Sequence, residues 1–102
     1  MSKEGADFDD YLQERLQDPA FARHFHEARE RSEIALQITK LRETVGLTQA
    51  RLAERVGTSQ QTISRLENPG YKGHSLRTLR RIADALDARV EVRIVPRAEQ
   101  VR

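Results

Sequence analysis

The stretch from Leu47 to Asn68, LTQARLAERVGTSQQTISRLEN, constrains the fold more tightly than any other part of the chain. Thr48 caps one short helix whose apolar positions are Leu52, Ala53 and Val56. Ser59 caps a second, in which Ile63 and Leu66 face inward. Gly57-Thr58-Ser59 leaves room only for a tight turn between them, with Gly57 in the left-handed conformation that glycine adopts at least cost. Ala53 supplies the small side chain needed where the second helix crosses the first, and Val56, Ile63 and Leu66 hold the pair together.

That arrangement leaves one face of the second helix outside the core, carrying Gln60, Gln61, Ser64 and Arg65. A helix fits the major groove of double-stranded DNA, where Gln pairs bidentately with adenine and Arg with guanine. The helix starts at Gln49 and Ser59 add backbone donors suited to phosphate oxygens. The bland alternative, a helical hairpin with a polar outer face, does not account for the coincidence of short helices, Ala53, Gly57 and base-reading side chains.

The flanks extend the helical pattern. Phe8, Tyr11, Leu12 and Leu16 recur at helical spacing, whereas residues 1–7 have little to bury and are expected to be disordered. Asp18-Pro19 is a restart signal, with Asp18 as cap and Pro19 in the first helical position. Phe21, Phe25 and Ala28 carry an apolar stripe that Arg29-Glu30-Arg31-Ser32-Glu33 interrupts and Ile34, Ala35, Ile38, Leu41 and Val45 resume. One long bent helix or two consecutive helices satisfy this equally, up to Gly46. Asn68 to His74 is a loop by its turn signals. Ser75 caps a further helix with Leu76, Leu79, Ile82, Ala83 and Leu86 inside. Arg89 to Val95 alternates charged and apolar residues until Pro96, the pattern of a half-buried strand. Val90, Val92 and Ile94 would face the core, and Arg89, Glu91 and Arg93 water.

The expected fold is therefore mainly α: a helix-turn-helix bundle with an N-terminal helical arm and one C-terminal β-strand. Four segments follow: an acidic arm over 1–31, a DNA-binding domain over 32–88, a dimerisation strand over 89–96 and a flexible tail over 97–102. The lone strand has no partner in the chain, so it needs a second copy across a two-fold axis or the sheet of another protein. A second copy would also supply the dimer that a palindromic operator requires.

Charge divides along the same line. Residues 1–30 hold four basic and eight acidic side chains, a net −4, whereas residues 31–102 hold fourteen and eight, a net +6. A basic domain with an acidic arm suits a polyanion on one part and a different partner on the other. Among the 102 residues there is no Cys, which excludes disulfides and thiolate metal sites. No apolar run approaches the ~20 residues that span a bilayer, and the acidic start lacks the blocks of a signal peptide. A soluble cytoplasmic protein is the expectation. His24 and His26 fall on different helix faces with no third ligand nearby, so no metal or other cofactor is expected. Asp9-Asp10 has no neighbouring acid or base, the serines have no His–Asp arrangement, and Gly70 and Gly73 form no phosphate-binding fingerprint. No catalytic reading survives. RNA binding lacks the aromatic platforms used for single strands.

The run Thr48-Gln49, Gly57-Thr58-Ser59-Gln60-Gln61 and Leu66-Glu67-Asn68 resembles the helix-turn-helix of the lambdoid phage repressors and the wider XRE, or Cro/repressor-like, family over about residues 34–87. The resemblance implies a lambda-repressor-like bundle in which Gln60, Gln61 and Arg65 touch base edges, with Ser64 close to the same groove. It implies that Gln49 and Asn68 contact phosphates; Ser59 joins them through the helix start it caps. Arg51 departs from the pattern, which carries Glu there; its charge opposes the helix dipole, and a phosphate contact would compensate. The flanks, Tyr11 to Phe21 and Val90 to Pro96, resemble the HigA-like antitoxins of bacterial type II toxin–antitoxin pairs. That resemblance implies a RelE/HigB-type mRNA endonuclease toxin as partner and repression of the shared operon. Phe8, Tyr11, Leu12, Leu16, Phe21 and Phe25 would then form an acidic-rimmed apolar ridge against a basic toxin. They could instead pack back on the chain's own core. The remaining alternative is a stand-alone dimeric repressor of phage or restriction–modification controller type, which leaves the arm unexplained.

Overall fold

A computed structural model describes residues 3–97, with side chains from Phe8 onward. Five helices follow one another: α1 (Lys3–Arg15), α2 (Pro19–Val45), α3 (Gln49–Val56), α4 (Gln60–Leu66) and α5 (Leu76–Ala85). Each start from α2 onward is capped by the short polar residue the sequence places there. Asp18 accepts from the Ala20 N–H ahead of Pro19, Thr48 from Arg51, Ser59 from Thr62 and Ser75 from Thr78. Each cap satisfies an amide with no partner inside its helix. Gly46 and Gly57 end α2 and α3 at φ 86° and 83°, the left-handed conformation.

The core lies where α3, α4, α5 and the second half of α2 meet. Ile38, Leu52, Ala53, Ile63, Leu66, Ile82 and Leu86 are buried together, with Ile34, Leu41, Leu47, Val56 and Leu79 packed around them. Leu52 and Ile63 are fully enclosed, each worth about 1.5–3 kcal/mol of burial. Val45 and Leu76, expected inside, are more than two-fifths exposed, because each lies at a helix end where the packed stripe has turned away.

Of the two readings open for residues 19–45, the single helix holds. At about 1.5 Å per residue α2 runs roughly 40 Å, nearly the 45 Å long axis of the molecule. Only its second half meets the core: Ala35 and Ile38 are its buried residues. The first half and α1 extend beyond the core as an arm. Near their junction the Arg15 guanidinium lies 4.5 Å above the Phe21 ring, and Phe21 stacks on Phe25 at 6.2 Å between centroids.

Two expectations at the termini are corrected. Helix α1 begins at Lys3, so residues 3–7 are helical rather than disordered; Met1 and Ser2 lie outside the described residues, as do residues 98–102 of the expected tail. No β-strand forms among the described residues, and Val90 to Val95 lacks regular structure. A strand exists only as part of a ladder, and the described residues offer no second strand. Nor do the expected inward residues reach the core: Val90 is half-buried, and Val92 and Ile94 are 62% and 96% exposed.

Candidate nucleic-acid interface

Helices α3 and α4 and the turn over residues 57–59 form the unit on which any DNA contact depends. The Gly57 and Thr58 N–H groups both donate to the Ala53 carbonyl, at 2.8 and 2.9 Å, which ends α3 and turns the chain sharply toward α4. Arg81 of α5 donates to the Val56 carbonyl at 2.8 Å and closes the same end from outside. With Ala53 only 3% exposed, α4 packs closely against α3, as its small side chain permits.

Ile63 and Leu66 anchor α4 in the core, and their burial decides which face it shows. Gln60, Gln61, Ser64 and Arg65 occupy the opposite face, at the spacing of neighbours on adjacent turns. All four are exposed, and none of their side chains forms a hydrogen bond or ion pair with another described residue. Their donors and acceptors are free to meet base edges.

The four residues assigned to phosphate contact occupy different situations. The Ser59 hydroxyl serves as the α4 cap and lies 2.9 Å from the Thr62 hydroxyl. Arg51 pairs with Glu54 at 3.2 Å, both largely exposed, so a competing phosphate displaces little. The Asn68 side-chain oxygen accepts from the Gly70 N–H at 2.8 Å, starting the loop to α5, and the residue is exposed. Gln49 is half-buried, and its Nε2 donates to Glu67 Oε1 at 2.9 Å.

That last bond belongs to a cluster the sequence reading missed. Arg42, in the last turn of α2, donates from Nε to Glu67 Oε2 at 2.6 Å and from Nη2 to Glu67 Oε1 at 3.0 Å. Its third donor, Nη1, reaches the Leu47 carbonyl at 2.8 Å. The two side chains are 11% and 5% exposed. Burial works to raise the Glu67 pKa, but hydrogen bonds from Arg42 and Gln49 together with the Arg42 charge hold it below the ordinary carboxylate value. The hydrogen bond to Glu67 in turn raises Arg42 against desolvation. One carboxylate thus ties the end of α2, the start of α3 and the end of α4 together.

His74, at the end of the loop before α5, is half-buried. Its Nε2 lies 2.7 Å from the Leu66 carbonyl, and its ring packs edge-on against Tyr71. It holds the last turn of α4 from the far side of the loop.

Two short helices locked at a glycine turn, the second presenting an unengaged polar face, define a helix-turn-helix DNA-binding unit. A family model described as helix-turn-helix matches residues 38–92. The chain belongs to the XRE-type helix-turn-helix family and is in that capacity a sequence-specific DNA-binding regulator. Neither the curated proteins nor the solved structures contain a significant match. No helix among the described residues is long and apolar enough to cross a membrane.

Proposed function

We propose that the chain is a HigA-type antitoxin: a homodimer that represses its own operon through α4 and neutralises a basic RelE/HigB-type toxin through its arm, in the bacterial cytoplasm. It needs no cofactor and performs no catalysis. The observation that carries the toxin-binding half is the position of the arm's apolar residues. None of Phe8, Tyr11, Leu12, Leu16, Phe21 or Phe25 belongs to the core, and Phe8 and Tyr11 are 61% and 55% exposed. Leu12, Leu16, Phe21 and Phe25 are half-buried outside that core, so the placement favours a partner-facing ridge over packing on the chain's own core. An acidic segment bearing exposed aromatics suits a basic protein surface.

The stand-alone repressor remains the second reading, and one feature favours it. Arg15, Phe21 and Phe25 cover one another, so part of the arm's apolar surface is already satisfied within the arm.

The test is a pull-down from the native organism with tagged wild-type chain and with the Phe8→Ala, Tyr11→Ala double variant, read by mass spectrometry. A stoichiometric basic partner that is lost on the double variant, while operator binding persists, is the expected result. Deleting residues 1–30 removes the arm but no core residue and should act in the same way. Recovery of operator DNA and homodimer alone, with the neighbouring gene expressed, would replace the antitoxin reading with the repressor.

A further inference from the structure

The Leu66 carbonyl, at the end of α4, is cut off from the backbone donors that follow it. A helix leaves its last carbonyls without partners inside the helix, and a following amide commonly serves them. Three residues on stands Pro69, which has no N–H. Four residues on, the Gly70 N–H is taken by the Asn68 side-chain oxygen at 2.8 Å. The Asn68 and Tyr71 amides are committed too, to the Arg65 and Asn68 carbonyls at 3.1 and 3.0 Å. Leu66 is 3% exposed, and an unpaired carbonyl there would carry the cost of a buried polar group. The partner it finds is the His74 ring, whose Nε2 lies 2.7 Å away. A carbonyl only accepts, so His74 Nε2 is the donor.

The loop is built to hold that ring. Tyr71 packs against the core cluster and meets the His74 ring edge-on, 5.1 Å between centroids. A Cβ at position 73 would collide with the Tyr71 hydroxyl, so Gly73 is what lets the tyrosine lie there. His74 directly precedes Ser75, the cap of α5, and its hydrogen bond therefore ties the end of α4 to the start of α5.

We propose that His74 is a positioning residue for base reading: by donating to the Leu66 carbonyl it fixes the turn of α4 that carries Ser64 and Arg65. The proposal rests on the reading of α4 as the helix that enters the major groove. Arg65 and Leu66 are neighbours in that turn, and a bidentate contact to a base tolerates little misalignment. With seven residues, α4 is too short to keep its own end in shape and depends on outside contacts. Glu67 supplies them from the side of α2 and α3. His74 supplies the one from the side of α5.

The experiment compares the full wild-type chain with His74→Leu and His74→Gln. The probes are a duplex selected by the wild-type chain from a randomised pool and a scrambled duplex of the same composition. Fluorescence anisotropy gives both dissociation constants, at a temperature well below each protein's melting midpoint. His74→Leu keeps an apolar side chain but loses the donor, and the ratio of the two constants should fall about fivefold, the factor that one neutral hydrogen bond supplies. His74→Gln sets an amide N–H near the place of Nε2 and should restore most of that ratio. A purely structural histidine would lower the melting temperature and leave the ratio unchanged. That result, or a Gln variant as impaired as the Leu variant, would overturn the proposal. Gln60→Ala on the same duplexes separates this proposal from the reading beneath it. If Gln60→Ala lowers the ratio and His74→Leu does not, the proposal alone falls. If neither lowers it, the reading of α4 falls and takes the proposal with it.

Discussion

The Arg42 guanidinium grips Glu67 with two of its three nitrogens, at 2.6 and 3.0 Å, across 25 residues of sequence. The pair joins the last turn of α2 to the residue that ends α4, and Gln49 adds the start of α3 through the same carboxylate. The orientation of the base-reading helix is therefore held by one buried acid as well as by apolar packing.

Removing one partner of this pair leaves the other charged and poorly solvated. Arg42→Met or Glu67→Gln should cost about 3 kcal/mol of folding stability, measured by urea denaturation with an unchanged m-value. A loss below about 0.5 kcal/mol would mean the pair is solvated in solution.

The same pair sets an acid response. Glu67 titrates below its unfolded value of about 4.5 when folded. Its contribution is therefore complete above that pH and is lost as pH falls through the lower folded value. Urea midpoints should drop between pH 6 and pH 3 in the wild type. The drop should be smaller in Glu67→Gln, which has no carboxyl to protonate. Parallel curves for the two proteins would assign the acid sensitivity elsewhere.

On α4, Gln60→Ala or Gln61→Ala should each cost about 1–3 kcal/mol on the operator and relax base preference, if the contact is bidentate. Fluorescence anisotropy on operator and scrambled duplexes checks this. Equal losses on both would show that these side chains do not read sequence.

Arg51→Ala should lower the slope of log affinity against log salt by about 1 if Arg51 meets a phosphate. Stability should change little, because its pairing with Glu54 is exposed. An unchanged slope would leave Arg51 as a surface residue without a DNA contact.

At the turn, Gly57→Ala should cost about 1–2 kcal/mol through its positive φ alone. The added methyl meets nothing closer than Arg81 Nη2 at 3.8 Å. A neutral result in thermal melts would indicate that the turn relaxes to a different conformation.

What the sequence determined by itself is local. Asp18, Thr48, Ser59 and Ser75 cap helices through amides two or three residues away, and Gly46 and Gly57 end them, because caps and stops act within one turn. The 3.6-residue period of apolar side chains gave most of the core and hence the outward face of α4. Tertiary structure alone decided the rest. No spacing rule joins Arg42 to Glu67, or His74 to the Leu66 carbonyl, since both contacts arise only once the helices have packed. Periodicity could not say whether α2 was one helix or two, because a polar interruption on an exposed half costs nothing. It also marked Val90, Val92 and Ile94 as inward-facing, although alternation records only that a segment has an apolar face. What covers that face depends on which surfaces the rest of the chain leaves within reach, and among the described residues Val92 and Ile94 stay 62% and 96% exposed.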